Sequence, residues 1–350
     1  MMRILAVATG SILPSRLEEH YLAEVAVLPD YESGLTQIAR GYGALLVGDR
    51  AADLDDLPVL LEAAGSTDGL LTVFLPSRRT VGFPVPQGVQ VLPVEAGEQE
   101  VAALLGLVRR PLEGNRVFLF HTIKGGVGKT TAAVMTAVSL KQIQPEKRVI
   151  IWDNDFPKGN VGLAFGRPNA LTIEHLVREP IITPEILARH IYHDERTGVD
   201  LLLAPARSDV VIQLQASAFL HILSLLRAGY EYVVLDFEPE IQRNEILVLA
   251  LHEASDLILV TDNSEFSLDA LRRLLPILTA LDVRHKVRLI FNNVWEEISA
   301  GEFERTFHVP VIGVIPHNRE YEYAHRRHEP PTGKKLTEPF QAVARRLLEL

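Results

Sequence analysis

The stretch Lys124-Gly125-Gly126-Val127-Gly128-Lys129-Thr130-Thr131 decides the fold of this chain. An apolar run at residues 117–120 precedes it, and a helical stretch of small residues follows it at residues 131–140. This order of strand, loop and helix predicts a phosphate-binding loop. Glycines let successive backbone N–H groups converge on phosphate oxygens, and the helix N-terminus adds a partial positive charge. The sequence therefore predicts a nucleotide site.

Each residue of the loop has an expected task in such a site. Lys129 should reach the β- and γ-phosphates, and the Thr130 hydroxyl should ligate Mg²⁺. Thr131 is expected near the α-phosphate. The backbone of the loop should cradle the phosphates through Gly125, Gly126, Val127 and Gly128.

Carboxylates follow two further apolar runs in the order that such a site requires. A buried strand predicted at residues 148–152 ends in Asp153-Asn154-Asp155, and residues 232–235 form a strand that ends in Asp236. Carboxylates at the carboxyl ends of parallel strands face the ligand crevice of an open α/β sheet. Asp236 should hold Mg²⁺ through water, as such aspartates do in P-loop enzymes. The alternative for Asp153 and Asp155 is a solvated turn.

The loop departs from the common pattern G-x-x-x-x-G-K-[ST], because Ile123 stands where a glycine is expected and Lys124 adds a second lysine. In this it resembles the deviant Walker A loop of the ParA/MinD superfamily. The resemblance implies that Lys124 reaches across a nucleotide-dependent homodimer to the partner's nucleotide. It also implies that Asp155 positions the attacking water and that Asp153 supports the Mg²⁺ shell.

A last pair of motifs concerns the base. A strand predicted at residues 287–291 ends in Asn292, and residues 311–318 resemble the family's last core strand and its I-P-x-D/N loop. The resemblance implies that Asn292 reads the adenine edge, that Pro316 packs beside the base, and that the cofactors are ATP and Mg²⁺. The alternative for Asn292-Asn293 is an ordinary turn.

Composition excludes several classes of function. The chain has 350 residues, 47% of them hydrophobic, and no cysteine, which excludes iron–sulfur proteins. It shows neither a membrane-spanning run nor a signal peptide, so we expect a cytoplasmic protein, with a polar or membrane-peripheral position at the inner face as a further option. A net charge of −10 disfavours DNA binding by the whole protein. The best local patch for DNA is Arg326, Arg327, Lys334, Lys335, Arg345 and Arg346.

The chain divides at a Pro/Gly/Asn segment, residues 111–115, which we predict to be a linker. Residues 1–110 show strands at 4–8, 24–28, 44–47, 70–74 and 89–92, helical patterns between most of them, and a helix at 98–109. This pattern resembles a response-regulator receiver domain. The first strand of a working receiver ends in paired acids that bind Mg²⁺, and its fifth strand ends in a lysine. Here Thr9-Gly10 and Leu92 stand at those positions, although Asp49 could be a residual phosphoacceptor. We therefore predict a pseudo-receiver used for docking or dimerisation.

The fold class predicted is thus α/β: a receiver-like (flavodoxin-like) domain, then a P-loop NTPase domain at 116–350 with a mostly parallel, doubly wound sheet. This layout resembles the CpaE/TadZ branch of the superfamily, which implies pilus or secretion assembly proteins as partners. The D-x-D-x-x-x-G spacing of residues 153–159 fits that branch, whereas Pro157-Lys158 departs from it.

Two alternatives remain. One is a partition ATPase that binds DNA nonspecifically as its ATP dimer. The other is a MinD-like ATPase that touches a membrane through the apolar face of its last helix, for which core packing is the competing use.

Overall fold

The computed structural model describes residues 1–10, 12–51, 54–94, 96–107, 109–122, 124–156, 159–167, 171–205, 214–237, 245–330 and 333–349, apart from the side chains of Glu322 and His325. Ile123 and Pro157-Lys158, which the sequence singles out, lie outside the described residues. The chain forms two compact units. The first comprises Met1–Arg110, Pro180–Pro184 and Leu220–Leu225, and the second comprises Pro111–Glu179, Glu185–Phe219 and Leu226–Leu350.

The first unit is built on a five-stranded parallel sheet in the order β2-β1-β3-β4-β5, one of the two common orders of doubly wound sheets. Its strands are β1 (Met2–Val7), β2 (Ala23–Leu28), β3 (Ala44–Val47), β4 (Leu71–Phe74) and β5 (Val89–Val91). Its helices are α1 (Ile12–His20), α2 (Tyr31–Gln37), α3 (Leu57–Gly65) and α4 (Glu98–Leu104). The central strands β1 and β3 carry apolar side chains on both faces because helices cover both sides of the sheet.

Helix α4 ends at Leu104, five residues before the end that the apolar pattern of residues 98–109 predicts. Gly106 has φ +61°, and the Leu107 N–H donates to the Ala102 carbonyl at 2.8 Å. The Gly106 N–H bonds the Ala103 carbonyl at 3.2 Å. These two bonds form a Schellman motif, so the glycine stops the helix although apolar residues continue beyond it.

The second unit contains an eight-stranded sheet in the order β13-β12-β11-β6-β10-β7-β9-β8, parallel except for the edge strand β8. Its strands are β6 (Arg116–His121), β7 (Val149–Asn154), β8 (Tyr192–Asp194), β9 (Val199–Leu202), β10 (Tyr232–Phe237), β11 (Asp256–Thr261), β12 (Val287–Val294) and β13 (Val311–Pro316). The predicted P-loop-type α/β sheet, mostly parallel, is confirmed. Strand β11 is additional to the strands that the sequence analysis identified.

The helices from residue 129 onward begin with α5 (Lys129–Ile143), which follows the glycine-rich loop directly. The others are α6 (Val161–Ala164), α7 (Ile173–Leu176), α8 (Pro184–His190), α9 (Ala216–Gly229), α10 (Glu245–Glu253), α11 (Glu265–Ala280), α12 (Ala300–Phe307), α13 (Arg319–Arg326) and α14 (Lys334–Glu349), with a 3₁₀ turn at Arg284–Lys286.

Residues 111–115, predicted as a linker, are part of the second unit, since the Leu112 N–H donates to the Arg227 carbonyl at 2.9 Å.

The apolar face of α14 is part of the core of the second unit. Phe340, Val343 and Leu347 are fully buried, and the helix packs against α5 and β13. This face is therefore used for core packing and does not present a surface to lipid. Within the described part of the chain, no helix is both long and apolar enough to cross a membrane.

Asp49 lies just beyond the end of β3 and is 5% exposed. Its Oδ2 accepts hydrogen bonds from the Ser77 and Thr80 hydroxyls, each at 2.6 Å, and from the Ser77 N–H at 3.2 Å. Burial alone would raise the pKa of Asp49, but these donors and the nearby Arg79 hold it below its usual value. The ionised carboxylate thus ties the loop after β4 to the end of β3.

An Asp49→Asn variant should therefore be less stable than the wild type near neutral pH, by about 1–3 kcal/mol in the free energy of unfolding. Because the folded-state pKa is lowered, this advantage exists above the unfolded value of about 4 and disappears as pH falls through the folded value. Urea unfolding of the full chain at several pH values measures this difference in stability. Amide exchange in β3 shows whether the first unit is the one that is destabilised. The exposed Asp68→Asn is the matched control; identical pH profiles for Asp49→Asn and wild type would contradict the prediction.

Candidate nucleotide-binding site

The loop between β6 and α5 has the backbone shape that phosphate binding requires. Gly126 and Gly128 both have φ +84°, a conformation that side chains disfavour. A Cβ at Gly128 would lie 2.3 Å from the Asn292 amide nitrogen, so no larger residue fits there. Helix α5 begins at Lys129, which places its N-terminal N–H groups at the end of the loop. Sequence and geometry therefore agree on a phosphate cradle.

Lys129 is the centre of the polar network, and its side chain is only 6% exposed. Its amine donates to Asp236 Oδ1 and, at 3.1 Å, to Asp155 Oδ2. The Thr130 hydroxyl donates to the other oxygen of Asp236 at 2.7 Å. Burial alone would lower the pKa of Lys129, but the carboxylates of Asp236 and Asp155 outweigh it and raise the pKa. The amine is thus charged and fixed at the point where phosphates are expected.

Asp153 is fully buried, and both of its oxygens accept backbone hydrogen bonds. The Asp155 N–H donates to Oδ1 at 3.2 Å, and the Val161 N–H donates to Oδ2 at 3.1 Å. Burial raises the pKa of Asp153 to about 8, and the nearby Asp236 carboxylate adds to the rise. Asp153 therefore shapes the segment that carries Asp155 and starts α6.

The donor set fits a hard divalent cation. Burial raises the pKa of Asp236 as it does that of Asp153. Thr130, Asp153 and Asp236 offer oxygen atoms, the ligands that Mg²⁺ prefers. The described residues contain no group of three or more acidic or histidine side chains arranged for a metal. Mg²⁺ would therefore complete its shell with phosphate oxygens and water, as is usual for this ion.

Lys124 lies on the same loop but does not share the carboxylates that hold Lys129. Its amine pairs with Asp262 Oδ2 at 3.1 Å, and its side chain is 46% exposed. Burial alone would raise the pKa of Asp262, but bonds from Ser264, Ser267 and Lys124 lower it to about 2. The sequence analysis missed Asp262, although it follows the apolar run of β11 just as Asp236 follows that of β10.

Beyond the loop, a cavity of about 410 Å³ extends toward the ends of β12 and β13. Asn292 and Pro316, expected at the base, both line it, as does Thr131. The Asn292 amide donates to the Val127 carbonyl at 2.7 Å, which ties the end of β12 to the phosphate loop. The structure therefore brings the predicted base-reading residues to one cavity with part of the phosphate loop, while Lys129 and Thr130 are not among the residues that line it.

His317, to which the sequence analysis assigned no task, lines the same cavity. Its Nδ1 lies 2.5 Å from the side-chain oxygen of Asn293, a residue with φ +59°. The register of β12 with β13 shifts between Phe291 and Val294, which turns Asn293 toward His317. Trp295 stacks on the imidazole with ring centroids 3.6 Å apart, while 70% of its surface stays exposed.

The fold and the site together define a P-loop nucleotide-binding protein. A family model described as "AAA domain" matches residues 115–291. The chain belongs to this family, and the proteins it is similar to include MinD proteins and a ParA family ATPase.

Among curated proteins, the septum site-determining protein MinD of Synechocystis sp. is 27% identical over 250 residues, 67% of this chain and 89% of that protein. Among solved structures, the ParA family ATPase of Chlorobium tepidum has a TM-score of 0.57 and 21% identity, covering 67% of this chain and 100% of that one. MinD of Pyrococcus horikoshii, complexed with Mg-ADP, has a TM-score of 0.56 and 20% identity, covering 67% and 96%.

The stacked Trp295 provides a direct reporter for this cavity. The chain has only two tryptophans, and the other, Trp152, is fully buried and stacked on Phe219 at 5.0 Å. Adding Mg-ATP should change the emission of Trp295, because a base in the cavity alters the surroundings of His317. Titration of intrinsic fluorescence measures this change, and Trp295→Phe should abolish it while calorimetry still detects binding. An equal response from Trp295→Phe would contradict the assignment.

Proposed function

We propose that the protein is a Mg²⁺-dependent ATPase that dimerises with ATP and acts as a switch to position or assemble pilus or secretion machinery. The observation that carries this proposal is the second lysine of the loop. The Lys129 amine already pairs with two carboxylates of its own site, whereas, among the described residues, the Lys124 amine pairs with Asp262 at the exposed rim. A loop lysine that its own site does not use is available for a nucleotide bound to a second copy of the chain.

The chemistry of such a site is mostly positioning and charge neutralisation. Lys129 binds the β- and γ-phosphates, and Lys124 supplies a further positive charge from the partner protomer. Thr130 and Asp236 would hold Mg²⁺, which would supply positive charge beside the phosphates. In the structure, Asp155 pairs with Lys129 at 3.1 Å. When Lys129 turns to phosphate, Asp155 is released to orient the attacking water, with Asp153 fixing the backbone around it.

The first unit supports a docking role. Its strand order 2-1-3-4-5 is the flavodoxin-like order that a receiver-like domain has. The Thr9-Gly10 pair at the end of β1 offers no acids for a metal, and the Asp49 carboxylate is already bonded by two hydroxyls. A pseudo-receiver before a deviant Walker ATPase resembles the CpaE/TadZ branch, and on that resemblance we propose pilus or secretion assembly proteins as partners.

The two alternative functions have less support from the structure. Of the six cationic residues proposed as a DNA surface, Arg326 lines the nucleotide cavity and Arg346 donates to the Val311 carbonyl at 2.7 Å. The apolar face of α14, required for lipid contact at this position, is buried in the core. We propose a cytoplasmic location, with any polar or membrane-peripheral position supplied by a partner.

Light scattering tests the dimer directly. The purified chain should be a monomer with ADP and a dimer with ATP and Mg²⁺, and Lys124→Ala should still bind ATP but remain a monomer. Lys141→Ala, on α5 and remote from the loop, is the matched control and should dimerise as the wild type does. A Lys124→Ala protein that dimerises normally would refute the role of this lysine between protomers.

The partition alternative predicts a different behaviour. An ATP dimer that binds random duplex DNA through phosphate contacts must lose affinity steeply as salt rises. We expect the ATP form to show no such binding by fluorescence anisotropy at either low or physiological salt. Salt-sensitive binding by the ATP form, absent with ADP, would favour the partition function instead.

A further inference from the structure

A second cavity of the second unit, about 570 Å³ in volume, lies outside the nucleotide site. The end of α6, the turn between β8 and β9, and the residues after α13 form its walls. We call it the arginine cleft, because Arg167, Arg196 and Arg327 line it, with Glu329 as its acidic lining residue. None of these residues takes part in the proposed ATPase chemistry.

The three guanidinium groups are held in different ways. Arg196 is fixed, since it donates to the Phe165 carbonyl at 3.0 Å and to the buried Asp194 carboxylate at 3.2 Å. Arg167 lies over the ring of Tyr192, 4.2 Å from its centroid. Within the described ranges, neither Arg167 nor Arg327 makes a salt bridge. Among the described residues, the cleft therefore contains two guanidinium groups without a salt bridge and one carboxylate, that of Glu329.

The backbone of the cleft is shaped for close approach. Gly166 has φ +69°, and a Cβ there would lie 3.0 Å from the His328 carbonyl oxygen. His328 itself has φ +54°, an unusual value for a non-glycine residue. Its Nδ1 lies 3.2 Å from the Leu163 carbonyl, which joins the residue after α13 to α6. Such strained positions persist where surrounding contacts enforce them, so the two walls are held together.

Both walls continue into the nucleotide site. Helix α6 begins at Val161, whose N–H donates to Asp153 at 3.1 Å. On the other wall, Arg326 lines the nucleotide cavity while its neighbour Arg327 lines the cleft. A molecule bound in the arginine cleft would therefore contact two segments whose positions also depend on the nucleotide site.

We propose that the arginine cleft binds an acidic peptide segment of a partner protein. Carboxylates of the segment pair with Arg167 and Arg327, because guanidinium groups bind carboxylates through two parallel hydrogen bonds. An apolar side chain of the segment lies against Leu163, which also lines the cleft.

Duplex DNA fits this cleft less well. A concave site of about 570 Å³ admits a few side chains, not the continuous backbone of a duplex. Glu329 and the net charge of −10 also repel a polyanion of that length more than they repel a short peptide. The proposed contacts in the cleft involve no nucleotide, so binding of the peptide can be tested separately from the proposed ATPase activity.

Fluorescence anisotropy with a fluorescein-labelled oligoglutamate that carries one central leucine tests the proposal on the full chain. The wild type should bind this probe, and the affinity of the double variant Arg167→Ala/Arg327→Ala should be lower by about tenfold or more. The matched control is Arg273→Ala, which removes an arginine on α11 that is 79% exposed. Thermal melting verifies that the variants remain folded, since the two cleft arginines are exposed at the surface.

Three results would overturn the proposal. The first is the absence of binding by the wild type. The second is an equal loss in Arg273→Ala, which would mean general attraction to positive charge. The third is preferential binding of random duplex DNA that the double variant loses, because the occupant would then be a phosphate backbone. If the wild type and Arg273→Ala bind the probe and the double variant does not, the result supports an acidic peptide as the occupant of the cleft.

Discussion

A buried lysine amine shared between two carboxylates is the interaction on which the nucleotide site depends. Lys129 from the start of α5 meets Asp236 from β10 and Asp155 from the segment after β7. Removing one partner of a buried ion pair typically costs about 3–5 kcal/mol, because the remaining charge stays unpaired. These pairs therefore fix the lysine amine at the point where phosphates are expected, and they join the phosphate loop to the ends of β7 and β10.

Strand order explains how residues so distant in sequence come together. Strand β10 lies between β6 and β7, with Asp236 in register with Phe120 on one side and Asp153 on the other. The phosphate loop follows β6, so its lysine and both carboxylates emerge at the same edge of the sheet. A parallel sheet of a different order would separate them by the width of one or more strands, about 5 Å each.

Residues that end apolar runs were predictable, while those that depend on tertiary contacts were not. Asp153 and Asp236 end apolar runs near the carboxyl ends of β7 and β10, and Lys129 lies in a recognisable loop, so the sequence alone predicted them as site residues. Asp262 could have been found by the same rule, since it follows β11. The bond from Asn292 to the Val127 carbonyl joins segments more than a hundred residues apart, and Arg167 and Arg327, equally distant in sequence, line the same cleft. No local pattern encodes them.

The two lysines of the loop are held with unequal strength, and this difference suits a switch. The Lys124 pair with Asp262 is exposed, and exposed pairs contribute about 0–1 kcal/mol. The amine can therefore leave Asp262 at little cost, whereas Lys129 needs a ligand of comparable charge before it leaves its carboxylates. Nucleotide binding would thus act first on Lys129 and Asp155, and the weakly held Lys124 would remain available for a second protomer. Burial sets this order, because a Lys–Asp pair inside the site is stronger than a Lys–Asp pair at its exposed rim.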